Sequence, residues 1–222
     1  MSETQLDAQT KGERTRDAIR AAADACFREF GFAATSAEIA RRAGVVEGTV
    51  FLHYRNKMGL LTAVTKDFYD LLQAEAEDTL AVAGDPITRL RRLVDGWAAR
   101  IESDWDLISV FVQRSQVEPD SELARTMTTL NRRYTRLFTQ LIDQLKEVGS
   151  LAADTPTPLV RDILFGTLEH TARGEVVAGK EIRVRTVAQQ TVDLLVRPDV
   201  PAPDDRLARI EEKLDRILDR RS

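Results

Sequence analysis

Residues 35–57 read TSAEIARRAGVVEGTVFLHYRNK. Ile39 and Ala40 supply an apolar step, and Ala43-Gly44-Val45 then offers a helix stop, a glycine able to take positive φ, and a hydrophobe suited to burial. Val50 returns to the core one short helix later. This pattern predicts two short helices joined by a tight turn, followed at once by the start of another helix. It is the arrangement of a helix-turn-helix, in which the second helix stands proud and can enter a DNA major groove.

The flanks fit that reading. Upstream, Thr10 and Glu13 have capping-box spacing, and Ile19, Ala22, Ala23, Cys26, Phe27 and Phe30 form one apolar stripe, which predicts a helix from about Lys11 to Phe30 stopped by Gly31. Thr35 and Glu38 have the same capping-box spacing at the start of the second helix. Asn56 is placed to cap a long helix running to about Leu80, with Leu60, Leu61, Val64, Phe68, Leu71 and Leu72 as its stripe.

The carriers Thr35-Ser36, Ile39-Ala40, Ala43-Gly44-Val45, Gly48-Thr49-Val50-Phe51, His53-Tyr54, Lys57 and Leu60 resemble, without a gap, the motif of the TetR family of bacterial transcriptional regulators. The resemblance implies an all-α fold: an N-terminal three-helix DNA-binding domain followed by a helical effector-binding and dimerisation domain. It also implies a homodimer on a palindromic double-stranded operator, and a repressor released by a small effector. The domains expected are a tail at 1–10, the helix-turn-helix domain at 11–57, a connecting helix at 58–84, the effector and dimerisation domain at 85–197, and a linker with a terminal helix at 198–222. The DNA contacts expected are Thr35, Ser36, Glu47, Gly48, Thr49, Phe51, His53, Tyr54 and Lys57. Hydroxyls and free N–H groups at Thr35 and Ser36 suit a phosphate oxygen, and the family places phosphate contacts at the positions of His53 and Lys57. Gly48 and Thr49 allow close approach to bases, the threonine methyl being suited to a thymine methyl.

Three residues depart from the family pattern. Val46 stands where a serine usually caps the recognition helix, a loss that typically costs about 1 kcal/mol. Glu47 replaces a basic or small residue and could accept from a cytosine amino group. Phe51 replaces a tyrosine and removes one hydroxyl contact with phosphate. These three leave open a second reading, a helical interaction protein that keeps the head without specific DNA readout.

Bulk properties are compatible with the main reading. Hydrophobic residues make up 43% and charged residues 31% of 222, which excludes a disordered chain. No apolar run approaches the ~20 residues needed to span a bilayer, the N-terminus carries no signal-peptide pattern, and a cytoplasmic location is expected. The net charge of −4 is unevenly spread. Residues 11–60 hold nine Lys/Arg against six Asp/Glu, while the remainder holds 23 against 30, which suits a DNA-binding head on an acidic body. The lone Cys26 reads as a small buried hydrophobe.

Gly84-Asp85-Pro86 reads as a domain boundary, with an N-cap and a proline at the first helical position. Next come a helix through Ile87, Leu90, Val94, Trp97, Ala98 and Ile101, then a short interior helix at 104–117. A long helix from Ser121 to Val148 follows, then a helix after the Pro/Thr loop at 154–158, and a last body helix at about 181–196. Among these, Trp97, Trp105, Phe111, Met127, Tyr134, Phe138 and Phe165 are candidates to line an apolar effector pocket, and Arg114, Asn131 and His170 to orient its ligand. The stretch 88–147 resembles members that sense long-chain acyl-CoA or other lipophilic compounds. Leu164 and Leu168 are expected at the dimer interface, built from the helices at about 158–180 and 181–196.

After the proline-rich linker at 197–203, Leu207, Ile210, Leu214 and Ile217 repeat with the spacing of a short coiled-coil seam, expected to pair or pack within the dimer. No phosphate-binding glycine loop, nucleophile elbow or metal-spaced His/Cys cluster occurs in the sequence. No enzymatic activity, metal or cofactor is therefore expected.

Overall fold

The computed structural model describes residues 10–196, so the terminal heptad and most of the N-terminal tail lie outside the described residues. Among the described residues the secondary structure is helical: α1 (Lys11–Phe30), a 3-10 turn (Gly31–Ala33), α2 (Ser36–Ala43), α3 (Glu47–Tyr54), α4 (Lys57–Ala81), α5 (Pro86–Val117), α6 (Glu122–Glu147), α7 (Thr157–Val177) and α8 (Arg185–Leu195). The described residues form two compact units, 10–73 with 104–133, and 74–103 with 134–196. The helix break at Gly84-Asp85-Pro86 lies inside the second unit.

In the first unit, α1 starts on the predicted capping box: Thr10 Oγ1 accepts from the Glu13 N–H, and the Glu13 carboxylate accepts from the Thr10 N–H. Its stripe is buried at Ile19, Ala22, Ala23, Cys26 and Phe27. Ile39, Ala40, Val50 and Tyr54 bring α2 and α3 into the same interior, and Leu60, Leu61, Val64 and Phe68 bring α4. Leu71, placed by sequence on the α4 stripe, faces outward instead, because the stripe continues through Leu72 and Ala76. The Thr35–Glu38 box forms by half. Thr35 Oγ1 accepts from the Glu38 N–H, but the Glu38 carboxylate accepts from Arg41 and Arg42.

The segment 104–117 is not a separate helix. It continues α5 without a break, since no glycine or proline interrupts residues 97–117 and Asp104 does not cap a new helix. Asp104 is buried and receives the Arg28 guanidinium of α1. Leu107, Ile108, Val110 and Phe111 are interior as expected, whereas Trp105 and Val112 are half-buried.

The second unit buries Leu90, Val94, Trp97 and Ile101 of α5, Tyr134, Phe138, Ile142 and Leu145 of α6, Val160, Leu164 and Leu168 of α7, and Ala188 and Val192 of α8. Asp85 caps α5 by accepting from the Thr88 N–H, 2.9 Å. The last helix begins at Arg185 rather than 181. Its first turn is capped from outside, where Glu102 of α5 accepts from the N–H groups of Val184 and Arg185 at 2.8 and 3.0 Å. A carboxylate at a helix N-terminus both satisfies orphan donors and complements the dipole.

Candidate nucleic-acid interface

The turn between α2 and α3 is built by Gly44, at φ 68° and ψ 31°. Its N–H and that of Val45 fold back onto the Arg41 and Ala40 carbonyls, at 3.3 and 3.0 Å. This closes α2 in a left-handed cap that a side chain would strain. The chain then enters α3 at Val46, which has no side-chain cap, as its aliphatic side chain requires. The N-terminus of α3 therefore keeps backbone donors that the chain's own side chains do not satisfy.

Only Val50 and Tyr54 of α3 are buried, four residues apart on one face. Glu47, Gly48, Phe51 and Leu52 are exposed, Gly48 and Leu52 lying opposite the core, Phe51 at its flank and Glu47 in the first turn on the Val50 side, with Thr49 and His53 half-buried. Leu52, 82% exposed, is an interface candidate that sequence reading missed. The signal was present: two residues on from Val50 is about 200° around the helix, directly opposite the core. Gly48 carries its own argument. A Cβ built there meets nothing within 4 Å, and its backbone does not require glycine. The fold therefore does not demand glycine at that point, and its bare backbone leaves room for close approach of an external surface.

Thr35 caps α2 with its hydroxyl exposed, and Ser36 is half-buried beside it. Two other expected DNA contacts are turned inward. Tyr54 is buried, and its hydroxyl donates to the Arg16 carbonyl at 2.9 Å, tying α3 to α1. Burial pushes its phenol pKa up. Lys57 Nζ donates to the Phe32 carbonyl and lies 4.2 Å from the centre of the Phe32 ring. Burial, reinforced by the Arg114 guanidinium, lowers its pKa. A lysine so engaged is not a free phosphate ligand, and sequence spacing could not reveal this because Phe32 lies 25 residues away.

Arg114, expected beside an effector, meets the same ring instead. Its guanidinium carbon lies 4.2 Å from the Phe32 centroid and it pairs with Glu118. Phe32 thus receives two cations, each a favourable cation–π contact. The remaining pocket candidates fall into two groups. In the first unit, Phe111 packs edge-on against Phe68 at 5.5 Å, Trp105 and Met127 are half-buried, and Asn131 is exposed. In the second, Trp97, Tyr134, Phe138 and Phe165 form one cluster with ring centroids 4.7 to 6.1 Å apart. Trp97 Nε1 is buried there with no hydrogen-bond partner, an unsatisfied donor that a ligand acceptor would relieve.

Leu164 and Leu168, expected to face a second copy, are 1% and 0% exposed within the chain itself. They belong to the stripe Val160, Leu164, Leu168, Ala172 that packs into the unit's own core. The outward stripe of α7 is Leu159, Ile163, Gly166, His170, Arg173 and Val177, with spacing 4, 3, 4, 3, 4. Val177 is 84% exposed, and Leu194 of α8 is 85% exposed. His170 lies on this outward face.

A three-helix head with an inward-anchored α3, a glycine-capped turn and an exposed second helix defines a helix-turn-helix protein. Residues 19–64 match the model described as bacterial regulatory proteins, tetR family, and residues 65–198 match that of the YsiA-like protein C-terminal region. The chain belongs to the tetR family of bacterial regulatory proteins, and is a DNA-binding transcriptional regulator. It is 20% identical over 159 residues to the fatty acid metabolism regulator protein of Bacillus subtilis, covering 72% of this chain and 81% of that one. Its fold is similar to the fatty acid degradation regulator FadR of Bacillus halodurans, with a TM-score of 0.69 and 23% identity over 85% of this chain and 97% of that one. It is also similar to Bacillus subtilis FadR in complex with stearoyl-CoA, with a TM-score of 0.68 and 21% identity over 81% and 97% of the two chains. None of the described helices is long and apolar enough to cross a membrane.

Proposed function

We propose that the protein is a homodimeric repressor that reads a palindromic operator through α3 and leaves it on binding a long-chain acyl thioester. The observation that carries the DNA part is the exposed face of α3, where Gly48 leaves an opening that the fold does not use. Glu47, Gly48, Thr49, Phe51 and Leu52 meet the bases, and Thr35, Ser36 and His53 meet the flanking phosphates. Lys57 and Tyr54 position these groups rather than touch DNA.

The effector part rests on two supports. The relatives named above are fatty acid regulators, one of them solved with stearoyl-CoA. The aromatic cluster around Trp97 offers apolar area with one unpaired indole N–H, suited to the carbonyl of a thioester. A two-fold dimer forms through the outward stripes of α7 and α8, which places two heads on one symmetric site. The test is to select binding fragments from genomic DNA and measure retardation in a gel with and without stearoyl-CoA. Salt-dependent retardation abolished by the thioester supports the reading. Retardation that no acyl-CoA alters refutes the effector class, and absence of any selected fragment favours the interaction-protein reading.

A further inference from the structure

A cleft of about 510 Å³ opens in the first unit, lined by Arg16 and Arg20 of α1, His53 and Arg55 at the end of α3, Lys66 of α4 and Glu122 at the start of α6. Its charge is unbalanced. Arg20 is compensated by Asp17 and Asp67. Arg16, Arg55 and Lys66 make no ion pair with any described residue, and Glu122 is the one carboxylate in the lining. Three such cations in one concavity repel one another, in a chain whose net charge is −4.

The walls are rigid. Tyr54 Oη donates to the Arg16 carbonyl at 2.9 Å, and the Arg16 guanidinium lies 5.5 Å from the Tyr54 ring centre. Asn56 caps α4 by accepting from the Gly59 N–H at 2.8 Å. Gly59 has no room for a side chain, since a Cβ there would lie 2.5 Å from the Tyr54 carbonyl oxygen. Arg55 is fixed by an unusual backbone, φ 57° and ψ −48°, as the one non-glycine with positive φ among the described residues. Cations held on rigid elements bind an anion without first being ordered.

The ligand chemistry follows from number and spread. A single carboxylate satisfies one cation, whereas guanidinium forks and an ammonium together match the several oxygens of phosphate groups. Lys66 lies nine residues beyond the start of α4, about 13 Å along the helix axis, so the ligand presents more than one phosphate. We propose that this cleft, which runs from the C-terminal end of α3 along α1 and α4, is a phosphate-binding site that takes the operator strand running on beyond the base-contacting helix. This rests on the DNA-binding reading, and His53 and Arg55 join the cleft to α3. The same chemistry would accept a free polyphosphate, which the test separates.

The full chain, its Lys66→Gln and Arg16→Gln/Lys66→Gln variants, and an Arg92→Gln control outside the cleft are titrated with a wild-type-selected duplex across a salt series. Their melting is followed with and without tripolyphosphate. Operator binding predicts a log–log salt slope shallower by about one per chain for Lys66→Gln and about two for the double variant, with the selected consensus unchanged. Unchanged slopes, together with tripolyphosphate stabilisation in the wild type that the variants lose, assign the cleft to a free phosphorylated ligand. If neither slope nor tripolyphosphate response differs from the Arg92→Gln control, the proposal is overturned. A wild type that selects no duplex sinks the DNA reading, and tripolyphosphate stabilisation lost in the variants then still establishes the phosphate site. Lys66 is exposed on α4, so its single substitution carries the test should the double variant fold poorly.

Discussion

Substituting Gly48 by alanine separates the demands of the fold from those of DNA. Gly48 is the second residue of α3, its backbone is compatible with an L side chain, and an added methyl group meets nothing within 4 Å. Replacing glycine at such a site reduces the entropy of the unfolded chain and stabilises by about 0.4–1 kcal/mol. Proximity to the helix end favours the lower half of that range. For a chain of this size 1 kcal/mol corresponds to about 2–4 °C, so the expected change is a rise in Tm of about 1–3 °C. On DNA the sign reverses. A methyl group inserted where the helix approaches the groove acts as overpacking, about 1–3 kcal/mol, or about 5- to 150-fold in affinity at 1.4 kcal/mol per tenfold. Calorimetric melting and anisotropy titration of a selected duplex measure the two effects on one preparation. Wild-type affinity in Gly48→Ala would show that α3 does not approach DNA at its N-terminal turn. A lower Tm would show that the space is not open.

Gly59→Ala is expected to do the opposite to the fold. The new Cβ would lie 2.5 Å from a backbone oxygen that cannot swing aside, so overpacking of about 1–3 kcal/mol exceeds a helix-propensity gain of at most about 1, and chemical denaturation should report a less stable protein. Val177→Glu and Leu194→Glu should yield monomers by light scattering while keeping their melting temperature, since both side chains are exposed. Leu164→Glu should instead fail to fold, because it places a charge in the core, and a folded monomer from that variant would restore Leu164 to the interface. Hydrogen bonds from Arg41 and Arg42 hold the Glu38 carboxyl at about 2, below its ordinary 4.5. A depressed carboxyl stabilises fully above about 4.5 and loses that contribution as pH falls toward about 2. Urea melts at pH 6 and pH 3 should therefore show the wild type losing more stability than Glu38→Gln, and equal losses would remove the Arg41–Glu38–Arg42 cluster from the account.

What the sequence determined by itself is whatever short-range physics controls. The α1 capping box, the Gly44 turn, the Asn56 and Asp85 caps and the missing cap at Val46 all involve groups within five residues of each other, so spacing alone predicts them. The apolar stripe of α1 was legible for the same reason, and with it the helix-turn-helix. Tertiary structure decided which way ambiguous side chains turned. Lys57 and Tyr54 match a DNA-contact motif, yet Phe32 and the Arg16 carbonyl, distant in sequence, draw them inward. Arg114 stands beside apolar residues and meets Phe32 rather than a ligand. On α7, two stripes one residue apart both carry hydrophobes, Leu164 and Leu168 on one and Leu159, Ile163 and Val177 on the other. Only packing against the rest of the unit assigns the first stripe to the core and leaves the second at the surface. The continuity of α5 through Asp104 has the same origin. An acid that reads locally as a helix start is held in mid-helix by Arg28, 76 residues earlier, and no local pattern encodes a partner at that distance.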